Sequence, residues 1–169
     1  MKKILVSILL ALFVLTGCST VPLEISNSRT KINYIGDEGI PELAEGFGVY
    51  GASVELDGVY PGWSGVIPLT IVNGQDRERT FVISLRSPVI PEEGYEVFPQ
   101  SYYDWISISE SEVTLPSGET YEIQFTFTMP KGKDYSDRKA EVRIRLDDIT
   151  QTGLIQTAVE SKWYITTAK

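Results

Sequence analysis

The sequence predicts an all-β chain folded as an antiparallel β-sandwich of seven to nine strands, and three observations predict it. Residues 120–129 alternate without a fault: Tyr121, Ile123, Phe125, Phe127 and Met129 against Thr120, Glu122, Gln124, Thr126 and Thr128. Period two over this length is a strand with one buried and one wet face, which needs a second sheet to cover it. Further alternating runs follow one another at regular spacing, separated by turn-forming residues. Beyond the N-terminal leader, no stretch carries three turns of helical periodicity.

The leader comes first. Met1-Lys2-Lys3 is a basic start, and residues 4–15 form an apolar run interrupted only by Ser7. The run falls short of the about 20 residues that span a bilayer comfortably, so it predicts a secretory signal. Its end, Leu15-Thr16-Gly17-Cys18, resembles the bacterial lipobox. That resemblance implies a diacylglyceryl group on the sulfur of Cys18, cleavage before it, and acylation (palmitate or a similar chain) of the new amine. Two or more acyl chains anchor stably where one is marginal. The chain therefore divides into a signal peptide (1–17), the lipidated Cys18 with a tether and N-terminal extension (18–48), and a sandwich domain (49–169).

Ser, Thr and Asn dominate residues 19–30, as a tether requires. Ile32, Tyr34 and Ile35 suit a short strand, residues 36–41 are turn chemistry, and 42–45 suit one helical turn. In the sandwich the first strand is 52–56, closed by a turn at Asp57-Gly58. The second is 65–72, with Ile67, Leu69 and Ile71 inward. Pro68 marks it as an edge or a bulge, because proline cannot donate to a ladder. The third, 80–86, turns Phe81, Ile83 and Leu85 inward, and either forms a hairpin with the second or crosses to the other sheet. A long connection, 87–104, carries Pro88, Pro91 and Pro99. Short strands at 105–108 and 113–115 precede the 120–129 strand. In 140–147, Ala140, Val142, Ile144 and Leu146 alternate with Glu141, Arg143, Arg145 and Asp147, predicting a solvated, self-neutralising outer face. One or two strands over 154–165 end the chain.

Composition excludes several function classes. With 15 basic against 23 acidic residues and a net charge of -8, the chain does not suit nucleic acid or anionic lipid heads. It has no histidine, which removes the commonest general base and transition-metal ligand. Cys18 is the sole cysteine, so no intramolecular disulfide and no CxxC site can form. No cofactor is expected.

Tyr60-Pro61-Gly62-Trp63 leads into a strand ending at Asn73, and Trp105-Ile-Ser-Ile leads through Val113-Thr-Leu-Pro-Ser-Gly-Glu to a strand ending Met129-Pro130. This pattern, across roughly residues 50–147, resembles the prokaryotic Ig-like modules of the CARDB and hydin (ASH) kind. The resemblance implies an Ig-like sandwich.

Three roles follow as expectations. The first is a cell-envelope lipoprotein on the extracytoplasmic side, bound to the membrane through lipid on Cys18 and acting on a protein partner as a non-catalytic interaction or structural module. The second is glycan or peptidoglycan binding through Tyr95, Phe98, Tyr102, Tyr103 and Trp105, whose rings offer large contact area with polar handles. Most of the same rings, Trp105 above all, better suit a cover over one end of the sandwich, since long loops normally dock their aromatics onto the core. The third is a carboxylate hydrolase drawing on Glu92, Glu93, Asp104, Asp147 and Asp148. A cation would fall to Asp147-Asp148 or to Asp134 and Asp137, although no DxDxDG loop is present.

Overall fold

The computed structural model describes residues 30–35, 46–132, 134–150 and 157–169. In chain order the strands are β1 (Lys31–Ile35), β2 (Phe47–Tyr50), β3 (Ser53–Val59), β4 (Ser64–Asn73), β5 (Arg79–Arg86), β6 (Glu96–Val97), β7 (Ile106–Ile108), β8 (Glu112–Leu115), β9 (Thr120–Thr128), β10 (Lys139–Asp148) and β11 (Ala158–Thr167). A 3-10 helix, Gln100–Trp105, precedes β7. One sheet runs β1-β3-β11-β10-β5-β8, with β6 beside β10, and the other runs β2-β4-β9-β7.

The inner faces of the two sheets interdigitate. Ile123, Phe125, Phe127 and Met129 are buried, as their alternation predicts. Opposite them lie Val142, Ile144, Leu146 and Trp163, all buried. Phe125 and Trp163 meet at 5.2 Å between ring centroids, tilted at 66°. Burying each such side chain contributes about 1.5–3 kcal/mol, so the strands cohere without a disulfide.

Two parallel pairs depart from the expected antiparallel pattern: β3 with β11, and β6 with β10. The first arises because β2 and β3 are nearly one strand that changes sheets. β2 pairs with β4, and β3 then pairs with β11. The crossing occurs at Gly51, whose φ is +85° and where an added Cβ would collide with Leu69 Cδ2. Asp57-Gly58 is not the predicted turn, since β3 continues through it to Val59. Gly58 has φ 74° and sits where the pairing with β11 slips by one residue. Glycine here makes a bulge, which locally carries the same residue signature as a turn.

The 65–72 and 80–86 strands are a crossing pair: β4 belongs to one sheet and β5 to the other. β1 and β2 are hydrogen-bonded into the two sheets, so the sandwich includes residues on the N-terminal side of position 49. The helical turn expected at 42–45, the leader and Cys18 lie outside the described residues.

Candidate partner-binding surface

The aromatic residues of the 87–105 connection close one end of the sandwich. Pro99 opens the 3-10 helix, in which residues i and i+3 eclipse. That places Tyr102 and Trp105 on one face, stacked at 4.2 Å with their planes 12° apart. Phe98, fully buried, contacts Tyr102, Tyr103, Trp105 and Phe127 at 6.0–6.3 Å. Tyr135 completes the cluster, edge-on to Phe98, Tyr102 and Trp105. Its phenol is pushed above the ordinary range, first by burial and then by the charge of Glu96, to which it donates a hydrogen bond of 3.2 Å. A lone aromatic in the charged 131–139 loop was the sequence signal for it.

Of the five proposed ring residues the structure therefore joins Phe98, Tyr102, Tyr103 and Trp105. Tyr95 lies apart, packed on Tyr164 at 4.8 Å. A sugar stacks on an open ring face, and Phe98 and Trp105 are both buried in the core.

The candidate carboxylates scatter. Asp147 and Asp148 are successive strand residues, so they point to opposite faces. Asp147 accepts from Arg145 Nε at 2.9 Å on the outer side, whereas Asp148 accepts from Arg79 Nη1 at 2.8 Å in the interior. They do not converge on a cation. Asp134 accepts from the Ser136 hydroxyl, and Asp137 occupies a left-handed conformation at φ 55°. Glu93 and Asp104 are exposed. Among the described residues, no group of three or more acidic, histidine or cysteine side chains is placed to hold a metal ion.

The outer face of the seven-stranded sheet brings a correction. Arg143, Arg145 and Asp147 form the expected ion-paired surface with Glu160. Glu141, predicted to be solvated beside them, is fully buried. The 87–98 connection lies over it. Glu141 Oε2 accepts the Glu92 N–H at 2.6 Å, Oε1 accepts from Arg143 Nε at 2.9 Å, and its carbonyl accepts the Phe98 N–H at 2.9 Å.

The connection has further pins. The Ser87 and Tyr103 hydroxyls are 2.8 Å apart, the Tyr95 N–H closes a turn onto the Glu92 carbonyl at 3.0 Å, and Pro88 is buried. Between the pins the tip stands clear, with Val89 97% and Ile90 78% exposed. Scattered surface aliphatics are normal. An adjacent pair bracketed by Pro88 and Pro91, on a loop held at both ends, is not scattered. Sequence reasoning passed over these residues in favour of the aromatics; Pro-Val-Ile-Pro within a long connection was the available signal.

Replacing Glu141 with Ala should loosen this loop, since a charge-assisted bond to its backbone is lost. We expect limited proteolysis within 87–95 to accelerate about tenfold, with Glu141→Gln showing a smaller change. Equal cleavage rates in wild type and Glu141→Ala would show that the carboxylate does not hold the loop.

The proline-bearing strand β4 offers little free edge. β9 covers one side, and β2 pairs with its Thr70–Asn73 segment on the other. In the remaining part Pro68 has no N–H, and its carbonyl accepts the Tyr34 hydroxyl at 3.2 Å. Both features discourage strand addition there.

Comparison with solved structures places this sandwich among Ig-like folds of the ASH and PapD-like type. The chain is similar to the ASH/PapD-like domain of human CEP192 (PapD-like domain 7), with a TM-score of 0.54, 12% identity, and coverage of 81% of this chain and 95% of that one. It is also similar to the periplasmic chaperone SfaE, with a TM-score of 0.51 and 11% identity over 73% of this chain. It spans 59% of SfaE, less than two thirds of that protein's length. At these identities the likeness is one of fold. No family model matches the chain, and no curated protein is similar to it in sequence.

Proposed function

We propose that this protein is a lipid-anchored cell-envelope module that binds another protein and performs no catalysis itself. The observation that carries this reading is the pinned 87–98 connection, which fixes Val89 and Ile90 in water on a rigid scaffold. Leaving two aliphatic side chains exposed forgoes about 1.5–3 kcal/mol each, a cost that contact with a partner would recover. Binding residues sit disproportionately on loops held by a rigid sandwich. The PapD-like fold of the periplasmic chaperone SfaE supports an interaction role. The leader and Leu15-Thr16-Gly17-Cys18 support the anchor.

Two measurements test the proposal. Cys18→Ala should move the protein from the membrane to the soluble fraction and abolish labelling with a fatty acid; retention on membranes without label in the wild type would refute the anchor. Val89→Asp combined with Ile90→Asp should leave unfolding within about 0.5 kcal/mol of wild type, because both sites are exposed. The same double variant should lose the crosslinked complexes formed in intact membranes. Undiminished complexes would remove the tip from the binding surface.

A further inference from the structure

We propose that the occupant of this tip is a second copy of the same chain, docked across the outer face of the seven-stranded sheet. The inference rests on the interaction reading above and adds the partner. The outer face has two halves. One is covered by the chain's own connection, which buries Glu141 and packs Tyr95 against Tyr164. The other is, among the described residues, an open basin lined by Val82, Arg86, Arg145, Asp147 and Ile149. Ile149 is 49% exposed at its rim.

The two halves complement each other in shape and in charge. The tip is a convex aliphatic pair followed by Glu92 and Glu93. The basin is concave, holds two aliphatic side chains and is bordered by Arg86. Arg86 and Glu93 are both exposed, and neither forms an ion pair among the described residues. One surface carrying both a tip and its receptor is self-complementary, so a two-fold axis through the face sets each tip in its partner's basin and each Glu93 towards an Arg86. The tip's own chain cannot fill that basin, because Pro88 and Glu92 hold the loop over the other half. An anionic lipid surface fits less well, since Glu92 and Glu93 follow the tip directly after Pro91 and the chain carries a net charge of -8. Patches this small belong with weak interfaces, which raised local concentration on a shared membrane would populate.

The test uses the full chain in bacterial membranes, with the photoreactive residue p-benzoylphenylalanine in place of Val89. Irradiation should give an adduct of twice the chain mass, with the crosslink in 82–86 or 145–149 of the second copy. Arg86→Glu should reduce that adduct about fivefold, and adding Glu93→Arg to the same chain should restore it. A two-copy adduct crosslinked elsewhere overturns the basin. An adduct only with a different protein overturns self-association and leaves the interaction reading standing. No protein adduct, or adducts with lipid alone, overturns both.

Discussion

Replacing Arg79 with Met should lower the stability of the domain by about 3–5 kcal/mol, the range for breaking a buried ion pair from one side. Arg79 opens β5 and Asp148 closes β10, and their side chains are 3% and 0% exposed at a separation of 2.8 Å. Once the guanidinium is gone, the Asp148 carboxylate keeps, among the described residues, only the Thr150 N–H, at 2.9 Å, as a hydrogen-bond donor. Burial denies it the water that would otherwise replace the loss. The pair itself is imperfect, because Arg79 Nε is buried without a partner among the described residues. Apolar substitution on both sides should therefore be far milder than on one. We expect Arg79→Met with Asp148→Leu to recover most of the lost stability, short of the Thr150 hydrogen bond. Urea unfolding of the two single variants and the double closes the cycle. A single-variant loss under about 1 kcal/mol, or a double variant no better than Arg79→Met, would mean that the pair does not act as a buried charge couple.

How far the sequence could be read depends on the range of the interaction that decides each feature. β9 was legible because one inward face, buried from Ile123 to Met129 and half-buried at Tyr121, stamps period two on residues 120–129. Trp105 was legible as an end cover, and it is 4% exposed. Gly58 was misread because a bulge and a turn ask the same thing of one residue, and the distinguishing fact lies across the ladder at Thr166 and Thr167. Glu141 was misread for a related reason. Its strand alternates correctly and its side chain does face outward, but a segment centred some fifty residues earlier lies over it. The parallel pairing of β3 with β11 joins the first part of the sandwich to the last, beyond the reach of any local pattern. The candidate site suffered most. Large aromatics drew the inference, yet size is what commits a ring to the core. The two smaller aliphatics between prolines carried no periodicity, and only the pins at Ser87, Glu92 and Phe98 reveal that they are held out in water.

Asn73→Ala should cost about 3 kcal/mol, and Asn73→Asp should cost at least as much although it is nearly isosteric. Asn73 ends β4, is fully buried, and sits where two connections between the sheets run side by side. One is the turn from β4 to β5; the other is the turn from β8 to β9. Its Nδ2 lies 2.9–3.0 Å from the carbonyls of Arg77, Leu115 and Pro116, and its Oδ1 accepts the Gln75 N–H at 3.2 Å. Its main chain joins the same knot: the N–H donates to the Glu119 carbonyl at 2.9 Å, and the carbonyl accepts the Gly118 N–H at 2.8 Å. Alanine keeps the backbone bonds but leaves three carbonyls facing a site without a donor, each lost partner being worth about 1 kcal/mol or more when buried. Aspartate restores the acceptor and not the donor, and it aims a carboxylate at three carbonyl oxygens. An amide is thus the side chain that satisfies both turns at once, with donors on one atom and an acceptor on the other. The prediction is checked by urea midpoints for both variants at neutral pH. If Asn73→Asp proved as stable as wild type, the donor contacts would not be what ties the two turns together, and the crossing of the sheets would have to rest on packing alone.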